Sequence, residues 1–205
     1  MRLLYQTHSP YARKALVLAH ELGIAARLIV THYETSPTMR SDEVFAVNPL
    51  GKVPVLILED GFALFDSSVI CAYLDGLDGE ARLIPEKGLA RWSCLRLEAL
   101  ASGLCEAGSA LRWETVRRPE ALRYGPLAEG QRMKLVESYD FLERHVDLGE
   151  RLNLGHIALA TALDWLEFRR LPDFREGQPK LATWFGAFLQ RPSMRATAYA
   201  GETHD

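Results

Sequence analysis

Cysteine is scarce in this chain, and what there is does not pair. Cys71, Cys94 and Cys105 share neither a CxxC spacing nor the grouping that structural zinc requires. An odd set of this kind excludes a disulfide framework and fits a reducing compartment, so a cytoplasmic location is expected. Long apolar runs are missing too. None approaches the roughly 20 residues needed to cross a bilayer, and the first residues lack a basic segment followed by a long apolar one, so a soluble, unprocessed chain is expected. Nor does either sign of charge dominate: 24 Lys and Arg stand against 27 Asp and Glu, a net of −3. With the two signs intermixed, no footprint for nucleic acid or an anionic membrane emerges, which leaves a small molecule or a second copy of the chain as partner. The six histidines are scattered without metal-ligand spacing, so no metal is expected.

What is present suffices for a substantial core. With 48% hydrophobic residues in a chain of 205, one large domain or two small ones can form. Up to about residue 77, short apolar runs alternate with helical periods; from about residue 86 onward the pattern is helical throughout. This predicts an α/β domain over 1–77 and an all-helical domain over 86–205, joined by the Gly- and charge-rich "GLDGEARLIPEKG". Strands are expected at Arg2–Tyr5, Ala26–Thr31, Val53–Leu58 and Phe62–Phe65, with the Asp60-Gly61 pair turning a hairpin between the last two. Between the first two, Ala12, Ala15, Leu16, Ala19 and Leu22 recur at helical spacing, with Arg13, Lys14, His20 and Glu21 on the other face and Gly23 as the stop. Such a β-α-β unit implies a parallel pair. Further helices are expected near Ser41–Val47, Ser67–Leu74, Leu89–Arg112, Glu129–Val146, Leu154–Arg169 and Lys180–Gln190, and the polar tail after Pro192 is expected to pack loosely.

Three motifs carry chemistry. In "SPYARK", Ser9 stands where a helix begins at Pro10; in "NPLGKVPVL", Pro54 opens a strand; in "LFDSSVICAYL", Asp66 and Ser67 start another helix. A helix start exposes unpaired N–H groups and a positive dipole end, so the first and third motifs can each hold an anion, although each also reads as an ordinary cap. An X-Pro bond at a strand start is a place for a cis peptide, with a plain trans bond as the other reading.

In this order and spacing the three motifs resemble the cytosolic glutathione S-transferase family, in particular bacterial members with Ser-Pro at the first turn. "GHIALATALDWLEFRRL" is similar to their sixth helix. The resemblance implies a thioredoxin-like N-terminal domain, with glutathione as co-substrate. It implies that a cis Val53–Pro54 bond turns the backbone of Val53 outward to pair with the cysteinyl unit. Ser67 would hold the γ-glutamyl carboxylate, Asp66 would face the ammonium, and Arg40 and Lys52 would sit near the glycyl carboxylate. Ser9 becomes the candidate catalytic residue, donating to the glutathione sulfur; Tyr5 and Thr7 stand as alternatives, since other branches of the family use a Tyr or a differently spaced Ser. Tyr11 and Trp113 are candidates for an electrophile pocket between domains, although aromatics at helical spacing also serve as core. The "LNLGHI" segment resembles half of a capping box, Asn153 standing for the first residue and His156 replacing the acid.

The resemblance thus implies a homodimeric transferase that directs glutathione at a small hydrophobic electrophile. A non-catalytic protein-binding scaffold on the same fold and a glutathione-dependent isomerase are the alternatives, and the second substrate is not legible.

Overall fold

A computed structural model describes residues 1–79, 83–149 and 151–199. Residues 80–82 of the expected linker and residues 200–205 of the tail lie outside the described residues. The apolar run Leu3-Leu4-Tyr5 is buried in the first strand, β1 (Arg2–Tyr5). After it come α1 (Pro10–Glu21), β2 (Ile29–His32), the short α2 (Asp42–Phe45), β3 (Val55–Ile57), β4 (Ala63–Leu64) and α3 (Ser67–Asp75). The sheet order is β2-β1-β3-β4, with β1 and β2 parallel and the remaining pairs antiparallel. This is the topology the β-α-β reading and the Asp60-Gly61 hairpin require. At that turn Gly61 adopts a φ of 87°, and the Phe62 N–H donates to the Asp60 carboxylate at 2.9 Å. The second strand starts later than expected, because Ala25–Arg27 coil into a 3₁₀ turn. Pro54 stands just ahead of β3, where its missing N–H removes no ladder bond.

The helical part consists of α4 (Gly88–Arg112), α5 (Gly125–His145), α6 (Leu154–Phe168), α7 (Pro179–Phe188) and α8 (Pro192–Ala196). A thioredoxin-like unit is therefore followed by a helical one. Helices α4 and α6 approach closely through two glycines. A Cβ on Gly108 would lie 2.8 Å from side-chain atoms of Trp165 and Leu171, and one on Gly155 would lie 2.7 Å from the Cys94 carbonyl. Asn153 caps α6 by accepting from the His156 N–H at 3.1 Å, so the expected half of the box is present.

Two expectations fail, and both failures have one cause. Arg13 and Lys14 are not on a solvated face of α1: they are 1% and 3% exposed. Helix α1 is covered on one side by the sheet and on the other by helical elements, so Leu18 and Ala15 share a core with Leu154, Ile157 and Met194. Its basic residues are instead neutralised in place, Arg13 by Asp164 of α6 and Lys14 by Glu98 of α4. Nor is the described part of the tail loose. Ser193, Met194 and Thr197 are buried, and Arg13 donates to the Met194 carbonyl at 3.1 Å and to the Thr197 hydroxyl at 3.2 Å. The buried guanidinium needs acceptors, and the tail supplies them.

Candidate active site

A cleft of about 500 Å³ runs between the two units, within the size range of small-molecule sites. Ser9, Tyr11, Lys52, Val53, Pro54, Asp66, Ser67 and Trp113 all line it. Arg40 does not. It lies in an adjoining hollow with Met39 and Phe45, its guanidinium paired with Asp42 at 2.6 Å and placed 4.1 Å from the centre of the Phe45 ring. The two concavities share Thr35, Pro37, Leu50 and Lys52 as a common rim.

Ser9 is the N-cap of α1: its Oγ accepts from the Ala12 N–H at 3.2 Å, with extended backbone at φ −89° and ψ 117°. An accepting hydroxyl retains its own hydrogen to donate. Of the alternatives, Tyr5 is buried in the core beneath the sheet, where burial raises its pKa, and Thr7 pairs with His32 at 3.1 Å. Neither lines the cleft; Ser9 does. The turn carrying it is held from behind, because the Trp165 indole N–H donates to the His8 carbonyl at 3.1 Å and the His8 ring stacks on Phe168 at 5.2 Å. Tyr199, from the tail, stacks in turn on Phe168 at 4.9 Å.

The Val53–Pro54 peptide bond is cis. The loop before it is shaped by Asn48, which is 2% exposed. The Asn48 side chain donates to the Lys52 carbonyl at 2.8 Å and accepts from the Leu50 N–H at 3.0 Å. Asn48 opens the quoted "NPLGKVPVL" motif, and an Asn placed directly before a Pro- and Gly-containing turn is the sequence signal that could have marked it as the organiser of the loop.

At the third corner Asp66 caps α3, accepting from the Ser68 N–H at 3.0 Å, while Ser67 is nearly buried at the first helical position. Beneath it the Ser68 hydroxyl donates to Glu98 at 2.6 Å, and Glu98 is the partner of Lys14. Two helix N-termini, those of α1 and α3, thus open on one cleft and bring positive dipole ends to it.

The helical wall supplies groups that sequence reasoning missed: Glu106 and Ser109 of α4, then Arg117, Trp165 and Arg169. Trp165 and Arg169 fall within the quoted "GHIALATALDWLEFRRL", which was read only as a helix pattern, while Glu106, Ser109 and Arg117 stand in none of the quoted motifs. The Tyr11 hydroxyl donates to the Ser102 carbonyl at 3.4 Å. Its pKa is raised well above the ordinary tyrosine value, first by burial and then by Cys105, Glu106 and Asp66, so it remains a neutral donor. Burial pushes the Cys71 and Cys105 thiols up to about 12 and also raises that of Cys94, so the chain's own thiols are inert. A second cavity of about 180 Å³, between α4, α5 and the start of α6, contains none of the residues singled out as site candidates from the sequence. Among the described residues no group of three or more His, Cys, Asp or Glu could hold a metal ion, and no helix is long and apolar enough to cross a membrane.

Residues 8–77 match the glutathione S-transferase N-terminal domain and residues 125–187 the glutathione S-transferase C-terminal domain. The chain is 33% identical over 202 residues to an uncharacterized GST-like protein, YibF, of Escherichia coli (strain K12), spanning 96% of this chain and 98% of that one. The chain belongs to the glutathione S-transferase family. A glutathione transferase family member from Pseudomonas fluorescens Pf-5 has been solved with bound glutathione, and superposes with a TM-score of 0.93 at 37% identity over 98% of this chain and 99% of that one. A further structure, with bound S-(propanoic acid)-glutathione, superposes at 0.88 and 38% identity, covering 98% and 100%. Elongation factor 1-gamma-A of Xenopus laevis is 28% identical over 90% of this chain, which spans 43% of that protein's length.

Proposed function

We propose that this chain is a glutathione S-transferase whose cleft holds glutathione as a thiolate and directs it at a small electrophile with a hydrophobic body. The observation that carries this reading is convergence. Three segments far apart in sequence, each with a separate physical use for a tripeptide anion, meet in one cleft. In the proposed arrangement residues 1–77 form the glutathione-binding domain and residues 86–205 the helical one. Val53, fixed by the cis bond to Pro54, pairs with the cysteinyl backbone. Ser67 and the α3 N-terminus take the γ-glutamyl carboxylate, and Asp66 faces the ammonium. Lys52 is the cation at the glycyl end; Arg40, engaged with Asp42, is at most an outer contributor.

Ser9 is the proposed catalytic residue. A free thiol of this type has a pKa of about 8.5, so at neutral pH it is mostly protonated and a poor nucleophile. A donated hydrogen bond from Ser9 and the dipole end of α1 both favour the anion, and each pKa unit gained is about 1.4 kcal/mol. No general base is needed once the thiolate predominates. Tyr11 and Trp113 line the second-substrate side, where proximity to the sulfur supplies the remaining acceleration. The Pseudomonas fluorescens relative, solved once with glutathione and once with a glutathione thioether, supports this reading. We also propose a cytoplasmic, two-fold homodimer, for which light scattering should return twice the 23.0 kDa chain mass.

A second reading keeps the fold for binding another protein, and the similarity to elongation factor 1-gamma favours it. Glutathione separates the two. A ligand that binds the native state must raise the melting temperature, by an amount that grows with concentration over the dissociation constant. The transferase reading expects such a shift and retention on immobilised glutathione; the absence of both sinks it.

A further inference from the structure

We propose that the cleft binds γ-glutamyl-cysteinyl peptides with an apolar third residue more tightly than glutathione, the third side chain filling the hollow beside Lys52; this rests on the glutathione reading above. The hollow measures about 480 Å³, nearly the size of the cleft, and meets it along Thr35, Pro37, Leu50 and Lys52. Every residue that lines it lies between Thr35 and Lys52 in the chain. It therefore includes nothing from the helical wall that receives the second substrate, and neither of the helix starts at Ser9 and Asp66. Along a tripeptide laid from Ser67 past Val53 to Lys52, the residue at the mouth of the hollow is the third. Glycine brings no side chain there and leaves the hollow to solvent.

The lining decides what kind of side chain fits. Its polar groups are engaged close by: the Ser36 and Thr38 hydroxyls pair at 2.9 Å, the Thr35 hydroxyl donates to Gln6 at 3.0 Å, and the Arg40 guanidinium donates to Asp42 at 2.6 Å. Apart from Lys52 at the rim, which suits the terminal carboxylate, what remains is apolar. Met39 and Leu50 are 48% and 62% exposed. The Phe45 ring is fixed beneath Arg40 and against Gly51, where a Cβ would meet it at 2.3 Å. Large apolar side chains left this open have surface to lose to a ligand, and a hydrocarbon side chain removes water from both partners of the contact. A side chain of the same shape that ends in an amide gives up its own water for a lining whose polar groups already have partners.

The test uses the full-length protein and three peptides titrated by calorimetry: glutathione, γ-glutamyl-cysteinyl-leucine and γ-glutamyl-cysteinyl-asparagine, the last two nearly alike in shape. Half-burying a leucine side chain is worth about fivefold in affinity. The leucine peptide should therefore bind about fivefold more tightly than glutathione, and the asparagine peptide no more tightly than glutathione. Met39→Ser and Leu50→Ser, both at exposed positions, should each cut the leucine gain at least by about half. A leucine gain below about twofold, an asparagine peptide that gains as much, or a gain that survives both substitutions overturns the inference, while bound glutathione leaves the parent reading standing. If none of the three peptides binds, it is the glutathione reading that falls, and this inference with it. Should a Ser variant not fold, the heat capacity change of binding decides: it is more negative for the leucine peptide than for glutathione if the side chain is buried, and equal values count against burial.

Discussion

Ser9 joins two physical roles in one side chain. Its oxygen accepts from Ala12 and so begins α1, and the residue lines the cleft that α1 opens on with a hydroxyl hydrogen still able to donate. Replacing it tests both roles at once: Ser9→Ala should lower stability by about 1 kcal/mol through loss of the cap. It should lower the rate of conjugation by tenfold to a hundredfold, on the order of one charge-assisted hydrogen bond. Denaturant titration and single-turnover kinetics read the two separately, and an unchanged rate would remove Ser9 from the chemistry. Residues of this kind were legible in the sequence because their signals are local. Ser9-Pro10, Val53-Pro54 and Asp66-Ser67 each announce a helix start or strand start within a few positions. Glu106, Ser109 and Arg117 announce nothing, and Arg169 stands in a stretch that announces only a helix, since only the packing of α4 and α6 brings these residues to one cleft. Arg40 illustrates the opposite failure: a basic residue near the motif in sequence is engaged with Asp42 and Phe45 next door.

At the scale of elements, α1 is the part the sequence misrepresents. Its apolar spacing predicts one buried face and one solvated face, yet Arg13 and Lys14 of the polar face are buried as ion pairs, and only its last turn, with His20, stays exposed. Periodicity reports which residues prefer an apolar neighbour; it does not report whether a second layer covers the rest. Lys14 shows the cost of disturbing this arrangement. Its ammonium pairs with Glu98, which also accepts from Ser68 of α3, so one carboxylate joins α1, α3 and α4. Lys14→Met strands that carboxylate in the interior and should destabilise the fold by about 3–5 kcal/mol in denaturant titration. Adding Glu98→Leu removes the stranded charge and should recover most of the loss. If the single variant costs less than about 1 kcal/mol, the pair is not the buried link described. The β1-α1-β2 order and the β3–β4 hairpin, by contrast, were legible from alternation and turn chemistry, and they formed as read.

For the molecule as a whole, the sequence resembles a transferase with two units, and the fold places a cleft between them. One wall comes from the thioredoxin-like unit with its helix starts and cis peptide; the other comes from helices that bring aromatic and basic side chains. Helix α1 belongs to both, contributing Ser9 and Tyr11 to the cleft while its far face seals the cores together. Legibility follows the same division: the thioredoxin-like wall is written in contiguous motifs, and most of the helical wall forms only where helices pack. The claim on which everything else depends is that the cleft favours glutathione as thiolate. The direct measurement is a pH titration of the thiolate ultraviolet absorbance of glutathione bound to the protein. A midpoint at least about one unit below the free value of about 8.5 is predicted; a bound thiol that titrates like free glutathione would contradict the account.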